Sequence, residues 1–121
     1  MSKVSFVVVT ENEEHSISRR LWELRHQRLQ HGAARSIEIV VVDGQSTDRT
    51  LLLAVPFADA LAVAGPDRDA QEDLGRRIAT GDVCVVIDAD TEITPWLADE
   101  AAQGLIDQPP VHPEDRQLAF A

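Results

Sequence analysis

The chain has 121 residues, 44% of them hydrophobic and 26% charged, with a formal net charge of -10 at pH 7. That length suits one domain with a three-layer core and is too short for two. The charge excludes nonspecific binding to nucleic acid or anionic lipid, since both need a basic face. No apolar run approaches a membrane span, and Met1-Ser2-Lys3 leads into a short strand instead of a signal sequence. Cys84, the single cysteine, lies inside an apolar run. It reads as a small buried hydrophobe in a reducing compartment, which predicts the cytoplasm.

Lys3 to Val9 is a β-branched run expected to form a strand buried on both faces. A helix is expected from Glu13 to about Gln30, with Ile17, Leu21 and Leu24 as its apolar stripe and Gly32 as its stop. Ile37 to Val42 reads as a second buried strand, and a short helix from about Asp48 to Ala54 is closed by Pro56. Ala60 to Ala64 is a weak third strand. Asp69 to Thr80 is helical, offering Leu74, Ile78 and Ala79 to the core, and Val83 to Ile87 is the fourth strand. Thr94-Pro95 has the form of an N-cap followed by proline at the first helical position. That helix should run through Trp96, Leu97, Ala101 and Leu105 to about Asp107. Three prolines and no periodicity mark the remainder, so residues 1–108 read as one domain and 109–121 as a disordered tail.

Strands alternating with helices imply β-α-β-α-β-α-β, an α/β three-layer sandwich with a parallel sheet and right-handed crossovers. The spatial order 3-2-1-4 is expected. In such sheets ligands bind beyond the carboxyl ends of the strands. Three polar clusters end strands here: Thr10-Glu11-Asn12-Glu13, Asp43-Gly44-Gln45-Ser46-Thr47-Asp48 and Asp88-Ala89-Asp90. A lone D-x-D is more often a solvated turn than a site. Three such clusters on one edge read as a site. Two carboxylates one residue apart point the same way in extended backbone and suit a shared hard cation. An acidic site that takes a phosphate compound needs a divalent metal to mediate.

These residues resemble the nucleotide-sugar-binding half of family 2 glycosyltransferases, which have the Rossmann-like GT-A fold. Val8-Val9-Thr10-Glu11-Asn12-Glu13-Glu14 is similar to the family's first-strand motif. Val41 to Thr50 is similar to its Val-Asp-Asp/Gly-x-Ser-x-Asp-x-Thr signature. Asp73 to Asp90 is similar to the helix leading to the D-x-D strand, retaining Gly75, Ala79, Gly81, Asp82, Asp88 and Asp90. The resemblance spans about residues 3 to 107. It implies a UDP- or GDP-sugar bound with Mg2+ or Mn2+, and places Thr10, Asn12, Glu13, Asp43, Arg68 and Asp88 against the nucleotide sugar. Asp43 would bind the base. Asp88 would lie near the ribose or behind the metal, and Asp90 would ligate it. For Arg68 a merely solvated role is slightly favoured, and for Asp48 a helix-capping one.

Glu11 stands where the family carries an aromatic, and Asp73 where it carries Asn. In relatives the acceptor site and general base lie well beyond D-x-D, so this chain is expected to lack the acceptor half, which a partner chain or subunit would supply. Alone it should transfer no sugar. Glu114-Asp115 and the four histidines receive no catalytic role, and the catalytic base stays unassigned. Two other readings stay open: a noncatalytic nucleotide-binding fragment or pseudoenzyme, and a receiver-like signalling domain. The second is disfavoured because the only lysine, Lys3, begins the first strand instead of ending a late one.

Overall fold

The computed structural model of the chain describes residues 2–30 and 32–106. The expected tail at 109–121, with Glu114, Asp115 and His112, lies outside them, as does His31. Eight elements follow in order: β1 (Ser2–Thr10), α1 (Ile17–Arg25), β2 (Ala34–Asp43), α2 (Thr50–Ala54), β3 (Ala60–Val63), α3 (Arg68–Ile78), β4 (Val83–Ile87) and α4 (Leu97–Ala102). The strands form one sheet in the order β3-β2-β1-β4. Every pairing is parallel, as the alternation of strands and helices predicts.

Both faces of the sheet are covered, which explains why the strands read as unbroken apolar runs and not as alternating ones. Val4, Phe6, Val8, Ile39, Val41, Val85 and Ile87 face α1, α2 and α4, where Ile17, Leu21, Leu24, Ala54, Leu97, Ala98 and Ala101 are buried. The alternate residues Val7, Val9, Val40, Val42 and Cys84 face α3, with Leu74, Ile78 and Ala79 packed against them. Gly75 lets α3 lie directly on the sheet. A Cβ there would overlap Val7 Cγ1 and stand 3.3 Å from Val42 Cγ2.

Register brings the strand ends together. Thr10 pairs with Asp43, and Val8 pairs with both Val41 and Ile87. The polar clusters that follow β1, β2 and β4 therefore emerge on one edge within about two residues of each other. Lys3 lies at the opposite edge, 3.5 Å from Glu38 Oε2 and donating to Thr80 Oγ1 at 2.6 Å.

The first and last helices fall furthest short of their sequence patterns, and one contact explains part of both. Instead of continuing to Gln30, α1 ends at Arg25. Beyond it the Arg28 amide donates to Pro95 O (2.7 Å), and the Gln27 side-chain amide donates to Thr94 O (2.7 Å) while its Oε1 accepts from Ala98 N (2.8 Å). Gln27 thus performs across the interface the capping expected of Thr94, whose buried Oγ1 has no hydrogen-bond partner among the described residues. Accordingly α4 starts at Leu97, not at Pro95. It stops at Ala102 because Gly104 takes the left-handed conformation (φ 76°). There the Gly104 amide donates to Ala101 O (3.1 Å) and the Leu105 amide to Glu100 O (2.9 Å), a Schellman termination. Leu105, expected inside the helix, is exposed.

Candidate functional site

The loops after β1 and β2 are laced together by a series of cross-loop bonds. Gly44 N donates to Thr10 O (2.8 Å), Asn12 N to Ser46 Oγ (2.8 Å), Thr47 N to Asn12 Oδ1 (2.8 Å) and Glu13 N to Thr50 Oγ1 (2.8 Å). Asn12 (φ 50°) and Gln45 (φ 65°) both adopt left-handed backbone to make these turns. Asn does so readily, whereas Gln45 carries a strain of about 1–2 kcal/mol. Asp43 is buried, and its two oxygens accept from Ser46 Oγ (2.6 Å) and Ser46 N (2.8 Å). Asp48 binds the Thr50 amide (2.9 Å) and the Glu14 amide (3.3 Å), but the N-cap position of α2 is Arg49, so Asp48 ties the loops together from one residue before the expected capping position.

A cleft of about 300 Å³ opens at this edge. Val9, Thr10, Glu11 and Glu13 form one wall, and Pro66, Arg68, Gln71 and Ala89 the other. Its size is at the low end for small-molecule sites, about 300–1,000 Å³. The Thr10 hydroxyl donates to the Glu13 carboxylate. Arg68, at the first turn of α3, is neither free nor merely solvated: its Nε meets Glu72 Oε2 at 3.0 Å and its Nη2 meets Asp88 Oδ2 at 2.9 Å. Gln71 is buried behind it and donates to Gly65 O at 2.6 Å.

The Asp88-Ala89-Asp90 turn separates its two carboxylates by task. Asp88 Oδ1 accepts from Asp90 N (2.9 Å) and Thr91 Oγ1 (2.9 Å), while Oδ2 takes Arg68. Asp90 is exposed, and no described residue bonds its carboxylate. Among the described residues no three His, Cys, Asp or Glu side chains converge to cage a metal. Partial burial pushes the Asp88 carboxyl up, but the bonds from Thr91, Arg68 and the Asp90 amide together outweigh it and hold the group below the usual carboxylate range. Asp48 is lowered too, chiefly by the Thr50 hydroxyl. Glu38 and Asp59 are lowered by hydrogen bonds that outweigh partial burial.

Depressed folded-state values stabilise the fold fully above the unfolded values, about pH 4, and less as pH falls through the folded ones. The urea midpoint should stay level from pH 7 to 5 and fall below about pH 4. A midpoint unchanged down to pH 3 would contradict these assignments.

A profile of glycosyl transferase family 2 matches residues 5–111. The chain belongs to glycosyl transferase family 2. The parallel sheet with helices on both faces is the GT-A form of the α/β fold, and solved GT-A glycosyltransferases superpose on it. S. aureus TarS does so with a TM-score of 0.67 and 25% identity, over 84% of this chain and 31% of that one. The mannosyltransferase PcManGT from Pyrobaculum calidifontis, solved in complex with GDP-Man and Mn2+, gives 0.67 and 25% over 98% of this chain and 38% of its own. Glucosyl-3-phosphoglycerate synthase from Mycobacterium tuberculosis, solved with Mn2+, UDP and glucosyl-3-phosphoglycerate, gives 0.65 at 20% identity, over 85% of this chain and 39% of its own, and shares the fold. An uncharacterized glycosyltransferase of Rickettsia typhi is 29% identical over 99% of this chain and 37% of its own length. This family 2 chain thus spans 31–39% of the length of these relatives.

Of the residues singled out in the sequence, the structure brings Thr10, Glu13 and Arg68 onto the cleft walls, with Asp88 and Asp90 flanking the Ala89 that completes them. Asn12 and Asp43 lie in the laced loops and do not line the cleft. Sequence reasoning passed over Gln71 and Arg20, whose Nη2 donates to Asp88 O and, at 3.0 Å, to Thr91 O. Arg20 gives no local signal, being one of two adjacent arginines in an amphipathic helix; only its tertiary approach to the turn after β4 selects it.

Proposed function

We propose that this family 2 domain binds a nucleoside diphosphate sugar, UDP- or GDP-linked, as its Mg2+ or Mn2+ complex, for glycosyl transfer. The observation that carries the reading is the exposed carboxylate of Asp90, which no described residue bonds, next to the cleft-lining Ala89 and to an Asp88 that is already engaged. One protein carboxylate suffices for such a site. Mg2+ keeps several waters and is commonly held by one or two carboxylates plus the substrate's own phosphates, so the lack of a three-ligand cage among the described residues fits. The donor set present here suits a hard cation. When bound, the metal would neutralise the departing diphosphate.

In this reading Asp90 ligates the metal and Asp88 supports it from behind. Asp43, with its loop fixed by Ser46, receives the base. Thr10, Asn12 and Glu13 shape the first-strand wall. Arg68 approaches the phosphates from the helix start, exchanging part of its bond with Asp88 for one with the ligand. The comparison proteins solved with GDP-Man or UDP and Mn2+ support the class of donor. We assign the domain to the cytoplasm and assign acceptor binding and the general base to a further part of the protein or a partner chain. No described residue is given the base's role.

Glu11 on the cleft wall favours a second reading, a domain that binds nucleotide without catalysing transfer, because it sets a negative charge at the first-strand wall. Calorimetric titration of UDP and GDP with and without Mn2+ tests the first reading. Binding should require the metal, and EDTA should remove it. Equal affinity after chelation would overturn the role of Asp90, and no binding of any nucleotide would count against both readings.

A further inference from the structure

We infer that Arg20 is a positioning residue for the metal-binding turn, an inference that rests on the proposed role of Asp90. The Asp88-Ala89-Asp90-Thr91 turn is closed by its own short-range bonds: Thr91 N donates to Asp88 O (3.2 Å), and Asp88 N donates to Thr91 Oγ1 (2.9 Å). Nothing in those bonds fixes the turn relative to the rest of the domain. Two arginines from different helices do so. From α3, Arg68 holds the Asp88 carboxylate. From α1, the half-buried Arg20 places a single guanidinium nitrogen between Asp88 O and Thr91 O, the carbonyls on either side of Ala89 and Asp90.

That geometry sets the spacing of the turn's two ends and aims the intervening Asp90 outward. A guanidinium suits the task, because its donors lie in a rigid plane and its charge does not titrate in the ordinary pH range. It also counters the negative charge gathered at this edge without occupying either oxygen of Asp90. Partners of this kind behind a metal ligand typically contribute about 10–100-fold in metal affinity.

Contacts made just beyond the end of α1 with the same connection separate positioning from general packing. Gln27 joins Thr94 O and Ala98 N further along, away from the turn. Gln27→Ala should therefore loosen the contact between the segment after α1 and the start of α4 without moving Asp90, while Arg20→Gln should release the turn and Arg20→Lys should restore most of the effect.

Two measurements on the full chain decide the matter. Amide hydrogen exchange without ligand should quicken at Asp90 and Thr91 by about 10-fold in Arg20→Gln and not in Gln27→Ala. Titration with Mn2+ and UDP or GDP should show about 10–100-fold weaker metal-dependent binding in Arg20→Gln, and near-parent binding in Arg20→Lys and Gln27→Ala. Unchanged exchange in Arg20→Gln overturns the inference, whether or not the parent binds nucleotide. So does metal-dependent binding that survives Arg20→Gln but fails in Asp90→Asn. A parent that shows no metal-dependent binding overturns the reading of the site instead, and hydrogen exchange alone then decides whether Arg20 holds the turn.

Discussion

Asp90→Asn is expected to remove the Mn2+-dependent part of nucleotide binding, a loss of at least about 100-fold, while stability to urea shifts by no more than about 0.5 kcal/mol. The substitution keeps shape and deletes charge. Its separation of binding from stability follows from position. Asp90 is exposed, its carboxylate bonds no described residue, and only its backbone amide, which Asn retains, joins the turn. Asp88→Asn would be a poorer probe, because it removes the charge partner of Arg68 and disturbs the turn as well. Calorimetry paired with urea unfolding checks both halves. Full metal dependence in Asp90→Asn would remove Asp90 from the site.

Gly75→Ala should destabilise the domain by about 2–4 kcal/mol. Helix propensity alone predicts the opposite, since alanine gains about 1 kcal/mol over glycine inside a helix. Steric contact decides the sign. The new methyl would overlap Val7 Cγ1 in the middle of β1, and Val7 and Val42 are both fully buried. Either α3 lifts from the sheet or two valines leave their rotamers. Because Arg68 and Gln71 ride on the same helix, a lifted α3 should also widen the cleft. A midpoint equal to or above the parent's in urea would show that this helix sits less tightly than its geometry requires.

The sheet was legible because its signals are local and redundant. Phe6 to Val9, Ile39 to Val42 and Val83 to Ile87 are unbroken apolar runs, each ended by a polar cluster, and their alternation with amphipathic helices allows few topologies. The glycosyltransferase assignment was legible for a related reason: its motifs fall at those strand ends, in order. Helix boundaries were less so. Thr94-Pro95 carries a good start signal, yet Gln27, more than sixty residues earlier, caps α4 and draws the chain away from the end of α1. A propensity argument cannot see a partner so distant in sequence. Arg20 was hidden in the same way. The ion pair of Arg68 with Asp88 also escaped, because its reach spans twenty residues and depends on where α3 docks.

The charges that bound β1, β2 and β4 have a consequence that begins before the fold exists. Segments such as Val4-Ser5-Phe6-Val7-Val8-Val9 and Val83-Cys84-Val85-Val86-Ile87 contain no proline and no charge, the composition that stacks into intermolecular β-structure when a chain is unfolded. Each run is bracketed: Lys3 and Glu11 around the first, Glu38 and Asp43 around the second, Asp82 and Asp88 around the last. Charged residues flanking unavoidable hydrophobic strands act as gatekeepers against aggregation. Asp43 and Asp88 therefore serve the nascent chain by repulsion and the folded one by hydrogen bonding. Neutralising either would lower solubility during synthesis as well as disturb the architecture of the cleft.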